Sequence, residues 1–352
     1  MPAKTKYNYQ KITEDLLKVL PERTADVLRR RFGIEKEEKE TLASIGESYK
    51  ITRERVRQIE NVGFAQIRSK VKKLESFPVF KYFREVLNRY GKLKEENSFL
   101  NLLAGDEKNI IEKNNILFLL SASTKFQRLP ENELFFNIWT IDKARAELVK
   151  KFVTNIKEFL KKKGKPVLSE EIFSQYKKEM KVLFGKELKK NIFQSYLEIS
   201  KEVGRNINDE YGLIEWGEIN PKSTRDKAYL VFKKEKKPLH FTKVASLIAQ
   251  LPSPYQRNIH PSTVHNELIK DERFVLVGRG LYALREWGYE PGLVKDIIIK
   301  LLKKSKKPLP KEKIVEAVLA QRFVKKNTIL FNLNDANYFE RDEQGRYKIK
   351  EA

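Results

Sequence analysis

Residues 41–68 have the sequence TLASIGESYKITRERVRQIENVGFAQIR, and this stretch decides the fold of the chain around it. Its pattern predicts two helices, over 41–47 and 53–68, with a short connection at 48–51. The hydroxyl of Thr52 is well placed to cap the second helix, because threonine can accept a hydrogen bond from an amide of the first turn. Two helices joined in this way predict a helix-turn-helix, whose second helix enters the major groove of DNA.

The second predicted helix has an apolar face and a polar face. The apolar residues recur at helical spacing and are expected to pack on Leu42 and Ile45 of the first helix; they are Val56, Ile59, Gly63 and Ile67. The residues predicted to contact DNA are Thr52, Arg53, Glu54, Arg55, Arg57, Gln58, Asn61 and Arg68. Arginine pairs well with guanine, glutamine or asparagine with adenine, and glutamate with cytosine. A solvated charged face is the alternative, and the short turn between the helices favours DNA binding.

A family resemblance rests on these residues and on the preceding run LPERTADVLRRRFG at 20–33. Together with residues 41–68, and above all with TRERVRQIE at 52–60, this run resembles region 4 of the sigma-70 family of bacterial transcription initiation factors. The resemblance implies a domain that reads the −35 promoter element and docks on the flap of the RNA polymerase β subunit. By position, it implies that Arg53, Glu54 and Gln58 face bases, whereas Arg55 and Arg57 contact bases or phosphates.

The resemblance covers only residues 12–75 of the chain. Nothing in the sequence resembles region 2 of that family, whose aromatic-rich helices bind the −10 element and melt DNA. The resemblance therefore does not by itself imply a self-sufficient sigma factor.

The composition favours a polyanionic partner. Lysine and arginine total 72 against 48 acidic residues, which gives a net charge of +24, and such a surplus is typical of nucleic-acid-binding proteins. A lysine-rich proteome is the alternative explanation. The chain has no cysteine, which excludes disulfides and thiolate metal sites, and no apolar run approaches the ~20 residues that span a bilayer. The sequence therefore predicts a soluble, cytoplasmic protein without a signal peptide.

The residues before the helix-turn-helix predict a basic tail and two more helices. The tail covers residues 1–10, and the helices cover 12–19 and 21–32. Gly33 is predicted to end the second of these helices, and residues 35–40 predict a charged loop.

Residues 223–290 predict a second kind of domain. A helix begins at 227, a basic loop follows at 233–238, and two helices cover 241–251 and 262–270. A β-hairpin then spans 274–284 around the turn Gly278-Arg279-Gly280. Three helices followed by a hairpin predict a winged helix, with Arg279 at the wing tip as a candidate DNA contact. A solvated turn residue or a protein contact is the alternative for Arg279.

This segment also resembles a known family. The residues that carry the resemblance are KPLHF at 237–241, HPSTVHNEL at 260–268, DERF at 271–274, GRGLYAL at 278–284, and Trp287-Gly288. They resemble the HARE-type winged helix, and most of all the N-terminal domain of the RNA polymerase delta subunit. The resemblance implies a domain that engages DNA or proteins.

A weak repeat extends the winged-helix pattern along the chain. Similar loops begin at Gly91, Gly164, Lys236 and Lys306, roughly 70 residues apart. Each loop separates two predicted helices, and hairpins are predicted at 126–141, 203–216 and 339–349. Lysine runs at 161–165, 233–237 and 303–307 fall at equivalent places and are expected to be loops. A chance alignment of generic patterns is the alternative.

The predicted fold is therefore mainly α with small β wings, a helix-turn-helix domain followed by tandem winged-helix domains. The predicted domains cover residues 1–75, 76–145, 146–222, 223–290 and 291–352. Trp139, Trp216 and Trp287 are expected to close the hairpins at similar repeat positions, as core residues.

The sequence offers few candidate catalytic residues. The three histidines, His240, His260 and His265, lie in one winged helix and lack the further ligands of a metal site at suitable spacing. The turn at 278–280 lacks the strand-to-helix context of a phosphate-binding loop. The sequence predicts no metal, no cofactor, no small-molecule substrate, no membrane partner and no enzyme activity.

The expected function is that of a sequence-specific transcription initiation factor or regulator. It would bind double-stranded promoter DNA together with the RNA polymerase core, at the β flap or another surface. The winged helices would contact the polymerase or extend the DNA footprint. Three alternatives stay open: a polymerase-binding adaptor that does not read DNA, a free-standing nucleoid protein, and a DNA-processing enzyme.

Overall fold

The computed structural model describes residues 7–71, 74–185, 187–252 and 256–350. The chain divides into two compact units. The first takes Met1–Gly204 with Tyr211–Ile214, and the second takes Arg205–Glu210 with Glu215–Ala352. Among the residues in these described ranges, no helix is both long enough and apolar enough to cross a membrane.

Four helices form the N-terminal part of the first unit. They are α1 (Tyr9–Leu17), α2 (Glu22–Phe32), α3 (Leu42–Tyr49) and α4 (Arg53–Lys70). α1 begins earlier than predicted because the side chain of Asn8 accepts a hydrogen bond from the Lys11 amide and caps the helix. The predicted basic tail at 1–10 therefore stops before Tyr9, and its residues 1–6 lie outside the described residues. Gly33 ends α2 in the left-handed conformation with φ of 62°, as predicted.

α3 and α4 form the predicted helix-turn-helix. α3 runs to Tyr49 rather than to residue 47, because Lys50 ends it in the left-handed conformation at φ of 54°. Gly46 is required just before this turn, since a Cβ at that position would lie 2.7 Å from the Ile51 carbonyl oxygen. The turn between the two helices is therefore shorter than predicted.

Two apolar residues of α4 do not pack on α3 as expected. A Cβ at Gly63 would meet Leu28 and Thr24 of α2, at 2.9 and 3.0 Å. Ile67 belongs to a larger core that extends beyond the helix-turn-helix. Helical spacing predicted which face of α4 is buried, but α4 is long enough to pack on several elements.

Four segments with the same order of elements follow: a helix, a short strand or bridge, two helices and a β-hairpin. The helices are α5 (Pro78–Arg89), α6 (Glu96–Ala104), α7 (Ile110–Ala122), α8 (Lys143–Lys163), α9 (Ser169–Phe184), α10 (Lys190–Leu197), α11 (Thr224–Glu235), α12 (Phe241–Ala249), α13 (Pro261–Lys270), α14 (Val294–Ser305), α15 (Lys311–Gln321) and α16 (Lys326–Leu333). The strands are β1 (Leu93–Glu95), β2 (Gln127–Leu129), β3 (Ile138–Thr140), β4 (Val167–Leu168), β5 (Val203–Arg205), β6 (Glu210–Leu213), β7 (Leu239–His240), β8 (Phe274–Gly278), β9 (Leu281–Leu284), β10 (Phe339–Arg341) and β11 (Tyr347–Ile349).

Sheet topology identifies these segments as winged helices. In the first three, the early strand pairs with the last strand, giving the orders β1-β3-β2, β4-β6-β5 and β7-β9-β8. In the fourth, Leu309 takes the place of the early strand through an antiparallel bridge to Tyr347 of β11. We call them the first (78–140), second (143–213), third (224–284) and fourth (294–349) winged helix. The fold is thus mainly α with small β wings, a helix-turn-helix followed by tandem winged helices, as predicted. The division into five domains at the stated boundaries stays a prediction.

A left-handed residue follows the first helix of each winged helix. These residues are Gly91, Gly164, Lys236 and Lys306, with φ of 82°, 64°, 53° and 50°, and they are the positions at which the repeat was inferred. The lysine runs were predicted to be loops, but this is only partly correct. Each run begins in the last turn of a helix, α8, α11 or α14. Lysine is favoured there, since its charge lies at the negative end of the helix dipole.

The tryptophans do not occupy equivalent positions. Trp139 lies inside β3, where it is 2% exposed and its Nε1 donates to Glu96 at 2.9 Å. Trp216 follows β6, and Trp287 lies in a 3₁₀ turn after β9. Their spacing in sequence therefore reflects the repeat length but not a shared place in the hairpin.

One hydrophobic core joins the helix-turn-helix to the first winged helix. The rings of Phe32 in α2, Phe64 in α4 and Phe118 in α7 contact each other, with centroids 5.6, 5.6 and 5.4 Å apart. Asn114 of α7 donates from Nδ2 to the Gly33 carbonyl at 3.0 Å, where α2 ends. The third helix of the first winged helix is therefore packed against the helix-turn-helix.

In the second unit, the third and fourth winged helices have separate cores, and a backbone contact joins them. The amide of Phe323, between α15 and α16, donates to the Val277 carbonyl of β8 at 2.6 Å. Phe323 also forms a parallel bridge with Gly278, where a Cβ would lie 2.9 Å from the Phe323 carbonyl oxygen. The wing of the third winged helix thus lies beside the segment that leads into α16.

Replacing Phe118 by alanine is expected to destabilise the helix-turn-helix as well as the first winged helix, because both share its core. Such a change in a packed core costs ~3–5 kcal/mol in free energy of unfolding. Hydrogen exchange measured by mass spectrometry should become faster in α2 and α4 as well as in α7. Val182→Ala is the control, since Val182 is 83% exposed and the change should cost less than ~0.5 kcal/mol. Unchanged exchange in α2 would contradict a shared core.

Candidate nucleic-acid interface

Threonine caps set the start of both helices of the helix-turn-helix. The Thr52 hydroxyl accepts a hydrogen bond from the Arg55 amide at 3.2 Å, and Thr41 does the same for the Ser44 amide at 3.1 Å. Thr52 itself is extended, with ψ of 154°. The cap therefore fixes where α4 begins and which residues, Arg53 and Glu54, lie in its first turn.

A small core holds α3 against the first half of α4. Val27, Ile45 and Val56 are completely buried in it. At its edge, the Tyr49 hydroxyl donates to Asp26 at 2.7 Å, and this hydrogen bond raises the pKa of the Tyr49 phenol above its usual value. The guanidinium of Arg23 lies 4.9 Å from the centre of the Tyr49 ring. The contacts of Tyr49 hold α3 against α2, and Val56 packs α4 on the core that these two helices share.

The outward face of α4 is exposed and polar. All eight residues of α4 and its cap that were predicted to contact DNA are exposed: Thr52, Arg53, Glu54, Arg55, Arg57, Gln58, Asn61 and Arg68. Arg57 donates two hydrogen bonds to the Glu54 carboxylate, at 2.9 and 2.7 Å. Arg55 donates to the side-chain oxygen of Gln58 at 3.0 Å. The hydrogen bonds from Arg57 hold the pKa of the Glu54 carboxyl below its usual value, so this carboxylate stays charged near neutral pH.

Two further residues lie on the exposed side of α4. Val62 is 52% exposed, and Ala65 is exposed as well. They follow Gln58 and Asn61 by one helical turn, so they extend the same face. Sequence reasoning missed them because only polar and charged residues were considered as DNA contacts. Their spacing from Gln58 and Asn61 was the available signal.

Arg68 has partners within the chain. Its guanidinium donates from Nε to the Ala122 carbonyl at 2.9 Å and from Nη2 to the Ser121 carbonyl at 3.0 Å. These carbonyls belong to the last turn of α7, where helix geometry supplies no amide donor from within the helix. Arg68 therefore ties the end of α4 to the end of α7, and its contact with phosphate stays a prediction.

Arg279 lies apart from α4 in the sequence and belongs to the second unit. It is exposed in the turn between β8 and β9, and Gly280 beside it is left-handed with φ of 68°. The predicted wing is thus present. The other eight predicted contact residues all belong to α4 or to its cap.

The histidines have structural partners. The rings of His240 and His260 cap α12 and α13, with Nδ1 2.8 Å from Thr242 Oγ1 and 2.7 Å from Ser262 Oγ. His265 lies against Phe241, with ring centroids 4.6 Å apart. In the described part of the chain, no group of three or more histidine, aspartate or glutamate residues is arranged to hold a metal ion.

Residues 16–69, which include α2, α3 and most of α4, match the family model of sigma-70, region 4. The chain carries a sigma-70 region 4 domain. RNA polymerase sigma factor SigA of a Bacillus species is 42% identical over 66 residues, which is 18% of this chain and 18% of that protein. RNA polymerase sigma factor RpoD of Neisseria gonorrhoeae is 42% identical over 57 residues, 16% of this chain and 9% of that protein.

The chain thus spans less than a fifth of the length of either relative. The match agrees with the resemblance inferred from residues 20–33 and 41–68, and it assigns the chain a transcription-related, DNA-binding type of domain. The resemblance of residues 223–290 to the HARE-type winged helix stays a prediction.

Replacing Arg68 by alanine distinguishes a structural role from a phosphate contact. We expect the structural role, with a loss of about 1 kcal/mol in free energy of unfolding, because two hydrogen bonds from a charged donor are removed at a partly exposed site. Urea unfolding followed by circular dichroism measures this loss, and Arg84→Ala, an exposed arginine of α5, is the control. Unchanged stability combined with a weaker salt dependence of DNA binding would favour the phosphate contact instead.

Proposed function

We propose that this protein is a sequence-specific transcription initiation factor or regulator that acts on promoter DNA together with RNA polymerase. The observation that supports this most is the exposed, capped α4 of the region 4 domain, whose outward residues can pair with base edges. The relatives that match this domain are named RNA polymerase sigma factors. We place the protein, with its polymerase partner, in the bacterial cytoplasm.

In the proposed mechanism, α4 enters the major groove with its first turns. Arg53 and Gln58 supply donors that suit guanine and adenine, and Glu54 supplies an acceptor that suits cytosine. The bidentate pair of Glu54 with Arg57 fixes both side chains before DNA arrives. Arg57 still has free donors for a base or a phosphate, because a guanidinium carries five N–H groups and the pair uses two. Preorganised side chains lose less conformational entropy on binding.

The winged helices would extend the contact with DNA or bind the polymerase. A polymerase-binding adaptor is the second candidate function. It is favoured by the same relatives, since both are named as sigma factors of RNA polymerase. In that case the region 4 domain would dock on the polymerase without reading bases.

Arg53→Ala and Gln58→Ala are each expected to weaken binding to the preferred duplex by ~1–3 kcal/mol, because each removes a base contact. The preferred duplex would be obtained by selection from a random pool, and affinities would be measured by fluorescence anisotropy. Arg84→Ala is the control for Arg53→Ala, because it removes the same charge at a site outside α4. It should leave the preference unchanged. An equal loss on preferred and scrambled duplexes would show that these residues do not read bases.

Co-elution with core RNA polymerase tests the other half of the proposal. At roughly twice physiological ionic strength, where nonspecific charge pairing is screened, we expect the protein to elute with the polymerase from a sizing column. Separate elution would contradict a polymerase partner and favour a free-standing DNA-binding regulator. Co-elution without any sequence preference on DNA would favour the adaptor.

A further inference from the structure

The third helices of the first two winged helices are covered by neighbours within the first unit. α7 packs on the helix-turn-helix through Phe118, which is completely buried. α10 packs on the first winged helix, where the buried Tyr196 donates its hydroxyl proton to the Gly91 carbonyl at 2.9 Å. Lys94 of β1 pairs with Glu198, which follows α10, at 2.7 Å. Neither helix leaves its outer face free for a partner.

The third helix of the fourth winged helix is different. Ile329 and Leu333 form the buried edge of α16. The exposed residues on and beside α16 are Lys325, Lys326, Asn327, Thr328, Phe331 and Asn334. Phe331 is 81% exposed, so these exposed residues combine two cations, two amides, a hydroxyl and an apolar ring.

The wing beside α16 comes from the third winged helix. The bridge between Gly278 and Phe323 brings the turn that carries Arg279 next to the segment that enters α16. The fourth winged helix has a wing turn of its own at 342–346, but there Arg346 is paired with Asp342 at 2.7 Å and Glu343 adds a second carboxylate, so the turn has no positive net charge. Carboxylates at a wing tip repel phosphate. The basic wing and the basic helix therefore come from two different winged helices.

We propose that Arg279, Lys325, Lys326, Asn327 and Phe331 form one composite surface that binds duplex DNA, as a second contact separate from α4. The three cations complement the phosphate backbone. The amide of Asn327 suits adenine, and the ring of Phe331 suits the methyl group of thymine. Duplex DNA fits this surface better than a protein does, because three of the five residues are cations and none is acidic.

The lysines are tested in the full chain by fluorescence anisotropy on a scrambled duplex. K325E/K326E should lower the affinity on the order of tenfold and reduce the slope of log K against log salt by about 2. K303E/K304E is the matched control, since it makes the same change in charge in the last turn of α14 and should have a much smaller effect. Equal losses in the two double variants would overturn the proposal, because general charge would then explain the binding.

Phe331 is tested by replacing thymine with uracil, which removes the methyl group and keeps the base-pairing edge. The unaltered protein should bind the uracil duplex several-fold more weakly than the thymine duplex. F331A should lose most of this difference, and circular dichroism would confirm that it is folded. An undiminished difference in F331A would show that the ring does not contact thymine methyl groups and would contradict this surface.

The two DNA contacts fail in distinguishable ways. Arg53→Ala should reduce the preference for the selected duplex without changing the effect of K325E/K326E on scrambled duplex. Reduced preference in Arg53→Ala, together with unchanged affinity of K325E/K326E for scrambled duplex, would keep base reading by α4 and refute the composite surface. Full duplex affinity of K325E/K326E together with lost co-elution with core RNA polymerase would show that the surface binds protein, and the proposal would be wrong.

Discussion

The packing of α7 against the helix-turn-helix is the interaction on which the first unit depends. α4 has 18 residues, and most of the stability of a helix in a protein comes from tertiary packing rather than from its own hydrogen bonds. Its first half is held by α3 through Val56, and its second half is held by Phe64 and Arg68 on α7. Since both halves are fixed, the outward side chains of α4 keep one position relative to the rest of the unit.

The same winged-helix topology serves two purposes in this chain. α7 has the sequence IIEKNNILFLLSA and buries residues all round, which is typical of a helix enclosed by other elements. α16 has the sequence KNTILFNL, with two residues buried and its polar face exposed. The distribution of buried residues along the third helix therefore differs between a winged helix that supports its neighbours and one that offers an exposed surface.

Sequence periodicity predicted much of this structure. The caps Thr52 and Gly33, the exposed face of α4 and the order of helices and hairpins follow from local rules. The pattern could not reveal what covers each face. Arg68 is an example, because its partner Ala122 is 54 residues away and the charge alone is equally compatible with phosphate. Helix ends were also inaccurate, since Lys50 adopts a left-handed conformation that its residue type does not signal.

The left-handed position after the first helix of each winged helix holds glycine in the first two and lysine in the last two. A residue other than glycine is destabilised in this conformation by roughly 1–2 kcal/mol. Glycine adopts the conformation freely, but it loses more conformational entropy on folding. At this position the last two winged helices carry strain that the glycines of the first two avoid, although Lys92 beside Gly91 is also left-handed, at φ of 74°. The first two copies therefore indicate Lys236→Gly and Lys306→Gly as substitutions for engineering a more thermostable protein.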